Sequence, residues 1–168
     1  MTYVRRMAPI YRDGEGVKSL EGFIDKCRGV VVGLIHARKA SSPGASGVDA
    51  HPYHVVTRDL WDAWLAHNGR VDEEVLGGTA GVSNPASRPD SLVLAKFLGM
   101  GSYSDVGRRL RAVVREGAVK TALNLGVVVA SSVKAYLHRL SYYLGWGSTT
   151  GSMRWWARPL RCGLHQPS

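Results

Sequence analysis

Three short polar clusters in this sequence contain side chains that can bind charge or donate hydrogen bonds to a substrate. They are His36-Ala37-Arg38-Lys39-Ala40-Ser41, Ala66-His67-Asn68-Gly69 and Arg88-Pro89-Asp90-Ser91. Arg38 beside Ser41 can hold a carboxylate, because a guanidinium presents paired donors in one plane. Asn68 and Gly69 offer a side-chain amide and an accessible backbone N–H, and such donors suit a developing oxyanion. The charge of Asp90 suits an ammonium group.

Each cluster taken alone also has a plainer interpretation. An isolated arginine such as Arg38 is usually a surface residue. An isolated Asn-Gly pair is usually a hairpin turn, and Asp90 can simply cap a helix. The clusters therefore indicate a binding site only if the fold brings them together.

Several predicted elements surround these clusters. The β-branched run from Gly29 to Ile35 predicts a strand covered on both faces, and the turn-rich stretch 41–48 predicts a loop beside its end. Residues 51–57 and 60–66 are typical of two strands in a hairpin, separated by Arg58-Asp59. We expect a second exposed turn at Asn68-Gly69.

The second half of the chain predicts two helices and then more strands. The helices run from Pro89 to Leu98 and from Asp105 to Glu116, the second with an apolar stripe opposite several arginines. The segment 118–146 predicts three strands. Strands, two helices and strands again indicate an α+β layered domain with a largely antiparallel sheet. Residues 147–168 show no periodicity. We therefore divide the chain into a domain over 1–146 and a tail over 147–168, for which disorder is one interpretation.

Composition excludes several classes of protein. The 168 residues are 45% hydrophobic and 21% charged, with a net charge of +9, as in one globular domain. Two cysteines, Cys27 and Cys162, do not support a disulfide framework or a cysteine-rich zinc site, and no metal or other cofactor is implied. The longest apolar run is too short to span a bilayer. We expect a cytoplasmic protein without a membrane partner.

Read in order, the polar clusters resemble the class II glutamine amidotransferases, whose glutaminase domains are N-terminal nucleophile hydrolases. The motifs that carry the resemblance are His36-x-Arg38-x-x-Ser41, His51-Pro52, His67-Asn68-Gly69, Asp90-Ser91 and the strand Thr121-Ala-Leu-Asn-Leu125. The resemblance as a whole covers the chain from Gly29 to about Trp146. The resemblance implies an αββα sandwich that hydrolyses glutamine to glutamate and ammonia, with the ammonia passing to an acceptor on a synthetase or transferase partner.

The resemblance also implies a role for each matching residue. Arg38, with help from Ser41, would bind the α-carboxylate of L-glutamine. Asn68 and Gly69 would form the oxyanion hole, and Asp90 would bind the α-ammonium group. Leu92 stands where the family usually has an acidic residue after Asp-Ser.

The chain departs from the family at the nucleophile, which in the family is an N-terminal cysteine activated by its own amine. This chain begins Met1-Thr2-Tyr3, and Cys27 has no free amine beside it. We therefore expect a fold that is incomplete at the N-terminus and a chain that is catalytically silent.

Two alternatives remain open at the level of sequence. A nucleic-acid-binding module is suggested by the net charge, the arginines of the second helix and Arg154-Trp155-Trp156, although no nucleic-acid-binding motif is present. A hydrolase that uses Thr2 as an N-terminal nucleophile is the lesser alternative.

Overall fold

An antiparallel sheet of five strands organises the described chain, which in the computed structural model comprises residues 13–26, 33–36, 50–132, 134–144 and 153–160. The strands are β1 (Tyr53–Val56), β2 (Asp62–Val71), β3 (Val119–Ala130), β4 (Ala135–Tyr142) and β5 (Met153–Leu160). The helices are α1 (Gly14–Lys26), α2 (Glu73–Gly77), α3 (Asp90–Gly99) and α4 (Val106–Arg115), with 3-10 turns at Pro85–Ser87 and Tyr103–Asp105. The α+β prediction is confirmed.

The strands lie side by side in the order β1-β2-β3-β4-β5. The β1–β2 hairpin is confirmed, and its turn is closed by the backbone bond from Thr57 N to Trp61 O at 2.8 Å. The Thr57 hydroxyl accepts a bond from Trp61 N at 2.9 Å and donates one to Asp59 Oδ1 at 2.7 Å. The side chain of Thr57 therefore makes two of the hydrogen bonds that hold this turn.

The helices α2, α3 and α4 all lie in the connection between β2 and β3.

One face of the sheet packs against α2, α3 and α4 and forms the hydrophobic core. Alternate residues of β3 are buried, which is the period of two expected when one face of a strand lies in a core. Helix α3 contacts β1 and β2, and it contributes Val93, Leu94 and Ala95, which are fully buried. The predicted helix Pro89 to Leu98 corresponds to α3, and Asp105 to Glu116 corresponds to α4.

The opposite face of the sheet is only half covered. Its β3 residues Gly126 and Val128 are partly exposed. The segment 33–36, which has no regular structure, lies over this face, and a Cβ added at Gly126 would stand 2.7 Å from Leu34 Cδ1. The strand predicted over Gly29 to Ile35 is thus wrong for its last three residues, because they lie across the sheet instead of pairing within it. Its first residues, 29–32, lie outside the described part.

The structure corrects three further predictions. Asn68-Gly69 is not a turn, because β2 continues through it to Val71. The described residues of the segment 118–146 form two long strands instead of three, since β4 runs unbroken from Ala135 to Tyr142. Residues 153–160, in the stretch without periodicity, form β5 and pair with β4. Helices α1 and α2 were not predicted. None of the helices among the described residues is long and apolar enough to cross a membrane.

Candidate functional site

A depression of about 430 Å³ lies on the half-covered face of the sheet, above β2, β3 and β4 and beneath the segment 34–36. Its floor includes the small residues Ala66 and Gly126. The polar side chains that line it come from all of these elements: His36, Asn68, Asn124, Arg139 and Ser141. Asn68, which sequence reasoning had selected, is therefore in a concave polar site.

Strand register places these polar residues in adjacent rows. Asn68 is the partner of Asn124 across β2 and β3. Leu125 is the partner of Leu140, and Gly126 of Arg139, so the same register sets Asn124 opposite Ser141. Residues directly opposite on one face of a sheet are near enough for their side chains to act on a common ligand. The two asparagine carboxamides and the serine hydroxyl thus form one polar row, and Arg139 stands in the next row.

Gly69 is required by the backbone of β2. Its φ is +139°, and the register shifts between Gly69 and Val71. A Cβ at this position would stand 1.9 Å from the carbonyl oxygen of Ala122. Glycine therefore permits the bulge that follows Asn68, in a conformation that other residues adopt only with strain.

His67 connects this point of the sheet to helix α3. The side chain is buried, and its Nδ1 lies 2.9 Å from Ser91 Oγ. Its Nε2 lies 3.4 Å from Ala122 O. A neutral ring protonated on Nε2 satisfies both contacts, donating to the carbonyl and accepting from the serine. Burial lowers the pKa of His67, and the Asp90 carboxylate opposes this effect only in part.

Asp90 lies at the start of α3 and joins this helix to the end of β2. Its Oδ2 accepts a hydrogen bond from Val71 N at 3.0 Å, and its Oδ1 accepts one from Ser91 N at 2.8 Å. The carboxylate is half-buried and is not part of the lining of the depression. In the described structure Asp90 therefore fixes the junction between β2 and α3, close to the His67–Ser91 contact.

Histidines gather beside the depression. The rings of His36 and His51 lie 4.2 Å apart between centroids, and His51 lies 4.8 Å from the ring of Tyr53. His51 and Pro52, the predicted His-Pro pair, are both buried. Within the described residues, no group of three or more histidine, cysteine, aspartate or glutamate side chains is placed to hold a metal ion.

Several residues selected from the sequence lie outside the described part of the chain. These are the predicted carboxylate-binding residues Arg38 and Ser41, the alternative nucleophile Thr2 and the cysteines Cys27 and Cys162.

The structure adds Asn124 and Arg139, which sequence reasoning missed. Asn124 is a polar residue within the alternating apolar run of β3, and that pattern was the available signal. The sequence around Arg139 gives no signal of a site, because only strand pairing places Arg139 beside Asn68 and Asn124.

Comparison of this chain with protein-family models, with curated proteins and with solved structures finds no match.

Proposed function

We propose that this chain is a glutamine-binding domain of the class II glutamine amidotransferase type. The observation that carries the proposal is the placement of Asn68, next to the bulge at Gly69, in a depression that also contains Arg139. The motif that suggests an oxyanion hole thus stands at a concave, polar place in the fold. The family's reaction is hydrolysis of glutamine to glutamate and ammonia for an acceptor on a synthetase or transferase.

The chemistry of the depression suits a small molecule that carries both an amide and a carboxylate. Asn68 Nδ2, in the lining of the depression, is a donor suited to a carbonyl oxygen that gains negative charge. The family resemblance adds the N–H of Gly69, which directly follows Asn68 but is not part of the lining. Arg139 is a cation in the same depression, and Arg38 is the residue that the family resemblance selects for the α-carboxylate. The volume falls within the range of about 300–1,000 Å³ that is common for small-molecule sites. A sheet with helices on one face corresponds to one half of the αββα sandwich that we propose.

The test is titration calorimetry of the full chain with L-glutamine. We expect saturable binding that Asn68→Ala and Arg38→Ala each weaken by at least about tenfold, because each removes a charge-assisted or oxyanion-type contact. The matched control is Asn84→Gly, which removes a carboxamide at a left-handed position, φ 52°, outside the depression. Absence of glutamine binding by the unsubstituted chain would overturn the proposal.

A second candidate function, nucleic-acid binding, is favoured by one feature of α4. Arg108, Arg111 and Arg115 lie on one exposed side of this helix. Arg108 forms an ion pair with Asp105 at 2.9 Å, and Arg115 one with Glu116 at 3.6 Å, so part of this charge is already compensated. Fluorescence anisotropy with single-stranded DNA and RNA separates the two functions. Binding that weakens steeply with salt and is lost in the triple Arg→Ser variant would support the nucleic-acid function.

A further inference from the structure

Asn124 has an unusual environment for a carboxamide. Its Oδ1 is shielded from solvent and has no hydrogen-bond partner among the described residues. A buried acceptor without a partner is costly, by an amount comparable with a lost hydrogen bond. Such an oxygen in the lining of a depression is a candidate acceptor for a hydrogen bond from a ligand.

The neighbour of Asn124 across the sheet is Asn68, whose Nδ2 is a donor in the proposed function. The pair therefore offers one acceptor and one donor side by side. A primary carboxamide presents the complementary groups, since its N–H₂ donates and its carbonyl oxygen accepts. A carboxylate presents acceptors only. The terminal torsion of an asparagine side chain is broad, so rotation can direct Oδ1 into the depression.

We propose that Asn124 is a specificity-determining residue that selects a carboxamide over a carboxylate. Its Oδ1 accepts a hydrogen bond from the amide N–H₂ of the ligand, while Asn68 Nδ2 donates to the amide carbonyl oxygen. The inference rests on the proposed function and adds to it the basis on which glutamine is distinguished from glutamate. A site whose polar groups pair with one ligand rejects an analogue that leaves them unpaired.

The experiment compares three ligands by calorimetry on the full chain: L-glutamine, L-glutamate and the γ-methyl ester of L-glutamate. The ester keeps the carbonyl acceptor and a similar shape, but it has no N–H and no charge on the side chain. We expect glutamine to bind about tenfold more tightly than the ester, the difference due to one net hydrogen bond. In Asn124→Leu we expect glutamine to bind about tenfold more weakly and the ester to be unaffected, so that the preference disappears.

A second variant restores the acceptor. Asn124→Asp keeps an oxygen at the same place, so glutamine should bind within a few-fold of its affinity for the unsubstituted chain. Glutamate should bind Asn124→Asp more weakly than it binds the unsubstituted chain, because two carboxylates would then face each other. Asn84→Gly serves again as the control. Circular dichroism and an unfolding midpoint establish that each variant is folded, and the ligand comparison on the unsubstituted chain stands even if Asn124→Leu does not fold.

The outcomes separate this inference from the proposed function. If Asn68→Ala abolishes glutamine binding but Asn124→Leu keeps the preference for glutamine over the ester, this inference is wrong and the proposed function stands. Equal affinity of the unsubstituted chain for glutamine and the ester would likewise show that this inference is wrong, while the proposed function stands. If the unsubstituted chain binds no glutamine, both fail.

Discussion

The buried ring of His67 is an ionisable group at the junction of β2, β3 and α3, where the Asp90 carboxylate also lies. It lies between Ser91 Oγ and Ala122 O, immediately before Asn68 in the sequence. Protonation would place a second N–H toward Ser91 and a charge in a buried site. Because burial lowers the pKa of this ring, the neutral form is the one that the folded state stabilises.

The first prediction concerns the dependence of stability on pH. The folded pKa of His67 lies below the ordinary value of 6.5, so the unfolded state binds more protons as the pH falls past 6.5. The stabilising contribution is therefore complete above pH 6.5 and declines toward the lower, folded pKa. Burial also lowers the pKa of His138, which acts in the same direction.

Urea unfolding at about pH 7.5 and about pH 5.5 measures this effect. We expect the free energy of unfolding to fall at the lower pH, and His67→Gln to reduce that fall because glutamine does not titrate. His54→Gln is the control, since His54 is exposed and pairs with Asp62 at the surface. An unchanged pH dependence in His67→Gln would contradict the assignment of this dependence to His67.

Gly69 supplies the second prediction at the scale of single residues. Gly69→Ala places a Cβ against the backbone carbonyl of Ala122 at a positive φ. We expect a loss of about 1–3 kcal/mol in stability and a loss of glutamine affinity, because the backbone beside Asn68 must move. Gly81→Ala is the matched control, with φ +60° and no atom within 4 Å of the added Cβ. It should cost about 1–2 kcal/mol and leave the affinity unchanged. Equal affinities in both variants would contradict the role of the bulge.

At the scale of elements, the β1–β2 turn contains a leucine in a strained conformation. Leu60 has φ 62° and is 80% exposed. Its N–H donates to Thr57 O at 2.9 Å, so the turn geometry is fixed by hydrogen bonds and not by the leucine side chain. A left-handed conformation costs an L-residue about 1–2 kcal/mol.

The third prediction is that Leu60→Gly stabilises the protein. Relief of the strain exceeds the extra backbone entropy of glycine, which is about 0.5–1 kcal/mol, so the expected net gain is about 0.5–1 kcal/mol. Leu60→Ala keeps the Cβ and should give no gain. Thermal unfolding of the two variants measures the change in stability. An equal gain in stability in both variants would show that the gain comes from removing the exposed leucine side chain and not from relief of its positive φ.

Local signals in the sequence explain which elements could be predicted. Helix α3 was predicted from a proline and an aspartate at its start and a glycine at its end, and α4 from its apolar stripe. The β1–β2 hairpin followed from two apolar runs around a polar pair. Asn68-Gly69 was assigned to a turn because that pair usually forms one. The strand instead continues through the glycine as a bulge, which depends on its pairing with β3 and not on the local sequence.

At the scale of the whole molecule, pairing between distant strands creates the candidate site. Asn68 and Asn124 are 56 positions apart in the chain and meet because β2 and β3 pair around the helical connection. The family resemblance selected Asn68 and Gly69 from their motif. It includes Asn124 only within the strand motif Thr121-Ala-Leu-Asn-Leu125, without a role, and it does not include Arg139. The proximity of both side chains to Asn68 depends on register, and a shift of one residue would turn both to the other face.

The helix layer on the sheet also determines global stability, and the fourth prediction tests this with two leucines. Leu94 of α3 is fully buried against the sheet, whereas Leu20 of α1 is 40% exposed in a helix without a buried residue. Leu94→Ala should lower the free energy of unfolding by about 2–5 kcal/mol, through lost burial and the cavity that remains.

Leu20→Ala should change the free energy of unfolding by no more than about 0.5 kcal/mol, as is usual for surface positions, and a slight gain in helix propensity accompanies it. Both variants replace leucine by alanine within a helix, so they differ chiefly in the packing around the side chain. Urea unfolding followed by circular dichroism measures both. Similar losses in the two variants would mean that α1 contributes to the core as much as α3 does, and the single layer of helices on one face of the sheet would then be an incomplete account of what stabilises this fold.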